Sequence, residues 1–291
     1  MTHPASSHMI PSERLVLACR DVPERLAWLE ALPRTIELLH ERWALSATEP
    51  WTDQASCAWV AAVTRADGTR AVLKLGMPHM EGEHEIDGLR FWNGDPAVRL
   101  LEADVALNAM LLERCEPGTP LRELSDPEQD VIISDLLHRL WRSPCSPHPF
   151  RPLHVMIAEW RKETLAASAQ WIDPGLVRAG LSVFDDLSRQ SADDTLLATD
   201  LHAGNVLRAQ RQPWLLIDPK PFIGDRAYDA TQHLLNCPER LATAPLETIA
   251  RFADLLEVDK DRIRQWMFAR AAAEPRERWS DASVSLARAL R

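Results

Sequence analysis

The sequence predicts an α+β protein of two lobes: a small antiparallel, strand-rich N-terminal lobe with one helix, and a larger, mainly helical C-terminal lobe. A chain of 291 residues is longer than one typical core fills. Strand-like apolar runs concentrate before residue 115, and long segments with helical spacing follow a Pro/Gly break at 116–121. We therefore expect an N-terminal lobe at 1–115, with a helical first segment and a β-sheet, and a C-terminal lobe at 116–291.

Composition narrows the class of protein. Hydrophobic residues make up 46% of the chain and charged residues 26%, which is typical of a folded globular protein. A net charge of -10 argues against a nucleic-acid partner and suits a small cationic ligand, although an acidic balance chiefly serves solubility. The five cysteines are scattered, and neither a signal peptide nor a membrane-spanning run is present. These features predict a cytoplasmic protein with no membrane partner.

Local patterns predict the elements of the first lobe. Helical spacing covers residues 11–45, with a break expected at Pro33. Two strands, 57–64 and 70–75, are joined by "RADG", in which Asp67-Gly68 is a strong hairpin signal. The stretch "EHEIDGLRFW" has a helical pattern, and "AVRLLEAD" and "NAMLLERC" indicate two further strands. The lobe is thus a small sheet with one inserted helix.

The second lobe is predicted from longer periodic segments. Helices are expected at 127–143, 150–169, 174–190 and, in pieces, 245–290. Two short apolar runs interrupt them, "TLLAT" at 195–199 and "PWLLID" at 213–218. The loop "DLHAGN" lies between these runs, at a place where two strand ends meet.

Oxygen-bearing side chains cluster around that loop. Asp200 and Asn205 are five positions apart, and Asp218 ends the following apolar run just before Pro219. Two carboxylates and an amide suit Mg²⁺, which keeps several waters and completes its coordination with substrate phosphates. The reaction implied is phosphoryl transfer, in which one acid orients the acceptor hydroxyl and a lysine neutralises the nucleotide phosphates.

A lysine of the required kind stands on the second hairpin strand. Strand alternation points Lys74, in "AVLKLG", away from Leu73 and Leu75. Its ammonium needs an anionic partner, and the following helix offers three candidates: Glu81, Glu83 and Glu85. We expect Glu85 to be the partner, because it lies on a helix whose apolar face would anchor it.

Five ordered segments, "AVLKLG", "HEIDGLRFW", "LLER", "DLHAGN" and "IDPKPFIGDRAYD", resemble the aminoglycoside/hydroxyurea antibiotic resistance kinases, and most closely the streptomycin 6-kinase and hydroxyurea phosphotransferase branch. The resemblance spans about residues 50–240. It implies a bilobal protein-kinase-like fold and transfer of the ATP γ-phosphate to a hydroxyl of a small molecule, either an aminoglycoside such as streptomycin or hydroxyurea. The family's D-x-x-x-x-N spacing and its step from Asn to the metal-binding Asp are both present.

The resemblance also implies roles for individual residues. Asp200 would be the catalytic acid/base, Asn205 and Asp218 the Mg²⁺ ligands, and Lys74 the phosphate-binding residue paired with Glu85. Adenine would lie against the linker between the lobes, formed by Met110, Leu111, Leu112, Glu113, Arg114 and Cys115. ATP is the expected nucleotide, and GTP stays open.

The chain departs from its apparent relatives in two places. Ala198 stands where many of them have a histidine before the catalytic loop. The stretch "WTDQASCAWV" has no glycine, so phosphate contacts would fall on Lys74, Mg²⁺ and Ser56 rather than on a glycine-rich loop. Neither H-R-D nor A-P-E occurs in the chain, which excludes a protein kinase switched by its activation loop.

Five further residues have an expected role outside the catalytic and metal-binding set. Asp225 and Asp229 are expected to tie the loop to the helical core, and His202 to hydrogen-bond locally. Trp160 and Trp266 are candidates for lining an acceptor pocket.

Two other functions stay open: a kinase of a small metabolite, such as a sugar or amino alcohol, and a nucleotide-binding module without catalysis. Acceptor specificity depends on pocket shape, which no motif encodes.

Overall fold

A computed structural model describes residues 11–51, 57–276 and 278–291, and the chain forms two compact units. Unit 1 comprises the described residues up to Gly118 together with Ala209–Leu215. Unit 2 comprises Thr119–Arg208 and the described residues from Leu216 onward. The strands of the large sheet all belong to unit 1 and most helices to unit 2, which confirms the predicted α+β class.

Unit 1 is a five-stranded antiparallel sheet with helices. Its elements are α1 (Glu13–Cys19), α2 (Pro23–Arg42), β1 (Leu45–Pro50), β2 (Ala58–Arg65), β3 (Arg70–Gly76), α3 (Glu85–Trp92), β4 (Leu100–Asp104) and β5 (Ala109–Glu113). The strand order is β1-β2-β3-β5-β4. The hairpin predicted at Asp67-Gly68 is confirmed, with Gly68 at a φ of 82° that only glycine adopts without strain.

The two faces of this sheet differ. Ala61, Leu73 and Leu111 are fully buried in one core cluster with Leu15 of α1 and Leu39 of α2, so the two N-terminal helices cover this face. Directly opposed residues of antiparallel strands share a face. Lys74 opposes Val60 and Met110, and these three side chains therefore belong to the other face. The predicted orientation of Lys74, away from Leu73 and Leu75, is confirmed.

The first helical segment differs from the prediction. Helix α2 does not break at Pro33 but runs on to Arg42. Proline removes one backbone hydrogen bond from a helix. Burial of Leu32, Ile36 and Leu39 along one side of α2 offsets that loss, because each side chain is at most 3% exposed. The segment also ends earlier than expected, since Leu45 already begins the edge strand β1.

Unit 2 contains the remaining elements. They are α4 (Asp126–Leu140), α5 (Leu153–Ala166), α6 (Pro174–Leu187), β6 (Thr195–Leu197), β7 (Val206–Arg208), β8 (Trp214–Leu216, beginning in unit 1), β9 (Phe222–Gly224), α7 (Arg226–Leu235), α8 (Pro238–Thr243), α9 (Pro245–Leu256), α10 (Lys260–Ala273) and α11 (Asp281–Leu290). Strand β6 pairs antiparallel with β9. The sequence patterns found β6 and β8 within the two apolar runs at 195–199 and 213–218 but missed β7 and β9, which lie outside those runs.

Helix α10 lies at the centre of unit 2 and packs against α6, α7, α9 and α11. A Cβ at Gly180 of α6 would lie 2.9 Å from the Cβ atoms of Ala272 and Ala273, so only glycine permits this close approach of α6 and α10. The helices predicted at 127–143, 150–169, 174–190 and, in pieces, 245–290 are confirmed, and their observed ends differ from the predicted ones by no more than about three residues. Across the described ranges, no helix combines the length and the apolar character needed to cross a bilayer.

Candidate active site

In unit 1, a buried ion pair joins the sheet to its helix. Nζ of Lys74 on β3 lies 2.5 Å and 2.6 Å from the two carboxylate oxygens of Glu85, the first residue of α3. Both side chains are almost fully buried, at 8% and 5% exposure. Buried charges are stable only when they are paired, which explains why the two residues occur together. Of the other two acids considered for this pairing, Glu81 is partly buried and Glu83 is exposed.

The segment expected to contact adenine is mostly strand. Met110 to Glu113 belong to β5, so the chain leaves the sheet at Arg114 and the predicted start of the linker at Met110 is wrong. The apolar run continues the β-ladder here, because it pairs with β3 on one side and β4 on the other. Leu111 faces the helical core. Only Met110 and Leu112 share the face that carries Lys74.

Near the end of this segment, Glu113 is held in place by hydrogen bonds from Arg211. Arg211 donates to both carboxylate oxygens of Glu113 and to the carbonyls of Gly94 and Ala97. Burial alone would raise the pKa of Glu113, but the Arg211 guanidinium holds it below its usual value. Burial raises the pKa of the Cys115 thiol to about 12, so this thiol is not ionised at neutral pH.

The remaining two residues expected near the nucleotide are Arg114 and Ser56. Arg114 lies 3.7 Å from Glu116, a loose and partly exposed ion pair of little energetic weight. Ser56, the expected additional phosphate contact, lies outside the described residues.

In unit 2, hydrogen bonds to Asp229 of α7 hold the start of the candidate catalytic loop in place. Its carboxylate accepts hydrogen bonds from the backbone N–H groups of Ala198 and Thr199, at 3.0 and 2.7 Å, and from the indole of Trp141. Burial raises the pKa of Asp229 to about 6, although all three donors favour the ionised form. The expected structural role of Asp229 is confirmed.

Thr199 holds an unusual backbone conformation in this loop. Its φ of 47° is a left-handed value that costs a β-branched residue on the order of 1–3 kcal/mol. Two hydrogen bonds stabilise it: the N–H donates to Asp229, and the hydroxyl donates to the carbonyl of Lys220 at 2.6 Å. The loop is thus fixed from both sides although Ala198 lacks the side-chain donors of a histidine.

The carboxylate of Asp200 is surrounded by donors. Lys220 Nζ lies 2.5 Å from Oδ2, and Gln232 Nε2 lies 2.7 Å from Oδ1. Asn205 donates to the Asp200 carbonyl at 3.0 Å and approaches Oδ2 at 3.4 Å. The carboxylate is only partly exposed, at 22%. Such an arrangement holds an anion in one orientation, as a general base requires.

Asn205 and Asp218 are brought together by the backbone. The N–H of Ile217 donates to the carbonyl of Asn205 at 2.8 Å, which places Asp218 beside the end of the loop. Asn205 uses its amide nitrogen on Asp200, so its amide oxygen faces away from that residue. Asp218 takes a left-handed φ of 54°, a conformation that aspartate tolerates.

This donor set fits Mg²⁺. No group of three or more His, Cys, Asp or Glu suited to a metal ion occurs within the part of the chain that the structure describes. One carboxylate and one amide oxygen are what Mg²⁺ takes from a protein when waters and substrate phosphates supply its other ligands.

His202 has a local role. Its Nδ1 accepts the N–H of Gly204 at 3.0 Å, which shapes the turn between Asp200 and Asn205. Burial lowers the pKa of His202, so the ring is neutral at pH 7. The expectation that it hydrogen-bonds locally is confirmed.

The other assignments in unit 2 are settled by packing. Asp225 caps α7 and accepts bonds from Arg262 and from the indole of Trp266, so its structural role is confirmed. Trp266 is fully buried beside Tyr228 and belongs to the core, which makes its assignment to an acceptor pocket wrong. Trp160 is 8% exposed and packs edge-on against Phe184, and its assignment to an acceptor pocket stays a prediction.

The sequence patterns missed three polar residues around Asp200. Lys220 contacts Asp200 and Asp218, and its place two residues after Asp218 was a usable signal. Gln232 and Arg270 lie on α7 and α10. Their approach to Asp200 depends on how these helices pack, which no local spacing reveals.

The fold and the comparisons with known proteins define a kinase-like phosphotransferase that acts on a hydroxyl group of a small molecule. Residues 42–281 match the family model of the aminoglycoside/hydroxyurea antibiotic resistance kinases. The chain belongs to this family, as its motifs predicted.

Two curated relatives illustrate the relationship. The chain is 34% identical to streptomycin 6-kinase of Streptomyces glaucescens in an alignment that covers 92% of each chain. It is also 34% identical to hydroxyurea phosphotransferase of Kitasatospora aureofaciens in an alignment that covers 89% of this chain and 76% of the relative.

Solved structures confirm the protein-kinase-like fold. Choline kinase of Streptococcus pneumoniae has a TM-score of 0.58 at 14% identity, covering 88% of this chain and 97% of its own. An ethanolamine kinase of Plasmodium vivax has a TM-score of 0.58 at 14% identity, with coverage of 96% and 93%. At such identities the likeness concerns the fold alone.

Proposed function

We propose that this protein transfers the γ-phosphate of ATP to a hydroxyl of a cationic aminoglycoside of the streptomycin type, with Mg²⁺ as cofactor. The observation that carries this proposal is the fixed Asp200 carboxylate, held by Lys220 and Gln232 in a loop with the family's spacing. Two curated relatives, 34% and 35% identical to this chain, are streptomycin 6-kinases, which favours streptomycin as the acceptor to test first.

In unit 1, Lys74 is proposed to neutralise the nucleotide phosphates. Its ammonium is pre-organised by Glu85, so no side-chain entropy has to be lost when the nucleotide binds. Met110 and Leu112 supply apolar surface on the same face of the sheet, suited to an adenine ring. Leu111 does not take part, because it faces the opposite core.

In unit 2, Asp200 is proposed to act as the general base. The acceptor oxygen attacks the γ-phosphorus while its proton passes to the Asp200 carboxylate, and the bond to the β–γ bridging oxygen breaks to release ADP. The proton is then lost to solvent. Holding the hydroxyl in line with the phosphorus supplies most of the rate enhancement, and proton transfer adds about 10²- to 10⁴-fold.

Asn205 and Asp218 are proposed to hold Mg²⁺ by one oxygen each. The ion would neutralise charge on the phosphate oxygens of the nucleotide. Lys220, 3.4 Å from Asp218 and 2.5 Å from Asp200, balances the two carboxylates.

The net charge of -10 is consistent with a cationic acceptor, because streptomycin carries guanidinium groups. Hydroxyurea is uncharged and is the second acceptor to test, since a hydroxyurea phosphotransferase is among the relatives. A cytoplasmic location remains a prediction from the sequence.

The test is a coupled assay of nucleoside diphosphate release, ADP from Mg-ATP or GDP from Mg-GTP, with a panel of acceptors: streptomycin, other aminoglycosides, hydroxyurea, choline and ethanolamine. We expect ATP and streptomycin to give the highest kcat/KM, with a phosphorylated product identified by mass spectrometry. Release stimulated only by choline or ethanolamine would identify a metabolite kinase instead. Nucleotide binding without release for any acceptor would indicate a module without catalysis.

A further inference from the structure

A buried arginine lies behind the candidate catalytic residue. Arg270 of α10 is 4% exposed. Its guanidinium donates to Glu274 at 2.8 and 3.0 Å and to the hydroxyl of Thr231 at 2.7 Å, and it lies over the rings of Tyr228 and Trp160, at 5.2 and 5.6 Å from their centres. Burial alone would lower the pKa of Arg270, but Glu274 raises it overall, so the group is always charged. Its orientation is therefore fixed on several sides.

The remaining bond of this arginine determines how Gln232 is oriented. Arg270 Nη2 lies 2.8 Å from Gln232 Oε1. A guanidinium only donates, so the amide must present its oxygen to Arg270 and its nitrogen to the other side. On that side, Nε2 of Gln232 lies 2.7 Å from Asp200 Oδ1. The two assignments agree, and the amide has one orientation that satisfies both neighbours.

We propose that Arg270, acting through Gln232, is a positioning relay that fixes the Asp200 carboxylate toward the acceptor hydroxyl. The inference rests on the proposed role of Asp200 and adds two residues that do not themselves touch substrate. Lys220 binds the other carboxylate oxygen, but its ammonium ends a flexible stem and contacts Asp218 as well. Gln232 is the partner that sets the plane of the carboxylate, because a rigid core residue holds it in turn.

Two substitutions at Gln232 separate this role from a structural one. Gln232→Glu keeps an acceptor for Arg270 but sets a carboxylate against Asp200, which removes the hydrogen bond and adds repulsion. Gln232→Leu removes both bonds. Because a misplacement of about 1 Å costs up to about 100-fold, we expect kcat to fall about 10- to 100-fold in both variants. KM for ATP should stay within about twofold, since Gln232 contacts no proposed nucleotide ligand.

The matched control is Gln190→Glu, which adds the same charge at an exposed position and should leave kcat unchanged. Thermal melting and ATP binding show whether each variant is folded. Residues that act as one unit are non-additive, so Gln232→Leu should cause no further loss in an Asp200→Asn background. The relay would be overturned if both Gln232 variants had the kcat of the wild type. It would also be overturned if Gln232→Leu lowered kcat by its full factor in the Asp200→Asn background.

Comparing Asp200→Asn with the Gln232 variants distinguishes failure of the relay from failure of the proposed function. If Asp200→Asn retains the wild-type rate, the role of Asp200 is refuted and the relay with it. If Asp200→Asn is inactive while the Gln232 variants keep full activity, only the relay is refuted.

Discussion

Nζ of Lys220 lies 2.5 Å from the carboxylate of Asp200 and 3.4 Å from that of Asp218. The lysine side chain is 9% exposed, so it is a buried cation shared by two acids. Opposite charges at such a distance interact far more strongly in a protein interior than in water. The pairing joins the proposed general base to a proposed metal ligand.

Replacing Lys220 should therefore impair turnover more than folding. Lys220→Met leaves two neighbouring carboxylates without their common cation, and we expect kcat to fall about 100-fold. Steady-state kinetics with the best acceptor measures it. Lys162→Met is the matched control, because Lys162 is 70% exposed on α5 and bonds only Glu159 among the described residues. A Lys220→Met enzyme with the kcat of the control would refute the shared-cation role.

The Lys74–Glu85 pair should govern nucleotide binding. In Glu85→Gln the ammonium of Lys74 loses its charged partner, and we expect KM for ATP to rise about tenfold and the melting temperature to fall by several degrees. Initial rates at varied ATP concentration test this expectation. Glu83→Gln, the same change at an exposed position of the same region, should alter KM by less than about twofold. If Glu85→Gln lowers only the melting temperature, the pair is structural.

Asn205 and Asp218 should control the magnesium requirement. Asp218→Asn weakens one proposed oxygen ligand and Asn205→Ala removes the other, so in each variant the Mg²⁺ concentration for half-maximal rate should rise at least about tenfold. A titration of MgCl₂ at constant ATP gives this value. Asp193→Asn removes an exposed carboxylate and should leave the midpoint unchanged. An unaltered midpoint in both site variants would contradict the assignment.

Asp229 should leave a signature in the pH dependence of stability. Its pKa is about 6 in the folded protein against 3.8 without burial. Between these two pH values the folded state binds more protons than the unfolded state. The contribution of Asp229 to the free energy of unfolding therefore falls as pH rises, by about 3 kcal/mol over the whole range. It is fully present below about pH 4 and lost above about pH 6.

Asp229→Asn lacks this titration, so the stability difference between wild type and variant should be larger at about pH 4.5 than at about pH 7.5. Urea unfolding at the two pH values measures it. Asp254→Asn, at an exposed position of α9, should show no such trend. A difference that is constant with pH would show that burial does not raise the pKa of Asp229.

The sequence predicted those parts of the molecule that depend on local order. The hairpin at Asp67-Gly68 and the alternation at Lys74 arise from neighbouring residues, and the structure has both. Helix α2 continued through Pro33 because tertiary burial outweighed a local preference. Gln232 reached Asp200 only because α7 packs beside the loop, 32 positions further along the chain. Contacts of this kind follow from the packing of helices and cannot be predicted from the spacing of residues in the sequence.

The role of Asp200 is tested most directly by Asp200→Asn, which keeps the size of the side chain and removes its charge. Phosphorylated acceptor formed in a single turnover should fall by at least about 100-fold, since a positioned base contributes about 10²- to 10⁴-fold. The dissociation constant for Mg-ATP should stay within about threefold, because Asp200 is not a proposed nucleotide ligand. An Asp200→Asn enzyme that forms product at the wild-type rate would contradict the proposed mechanism.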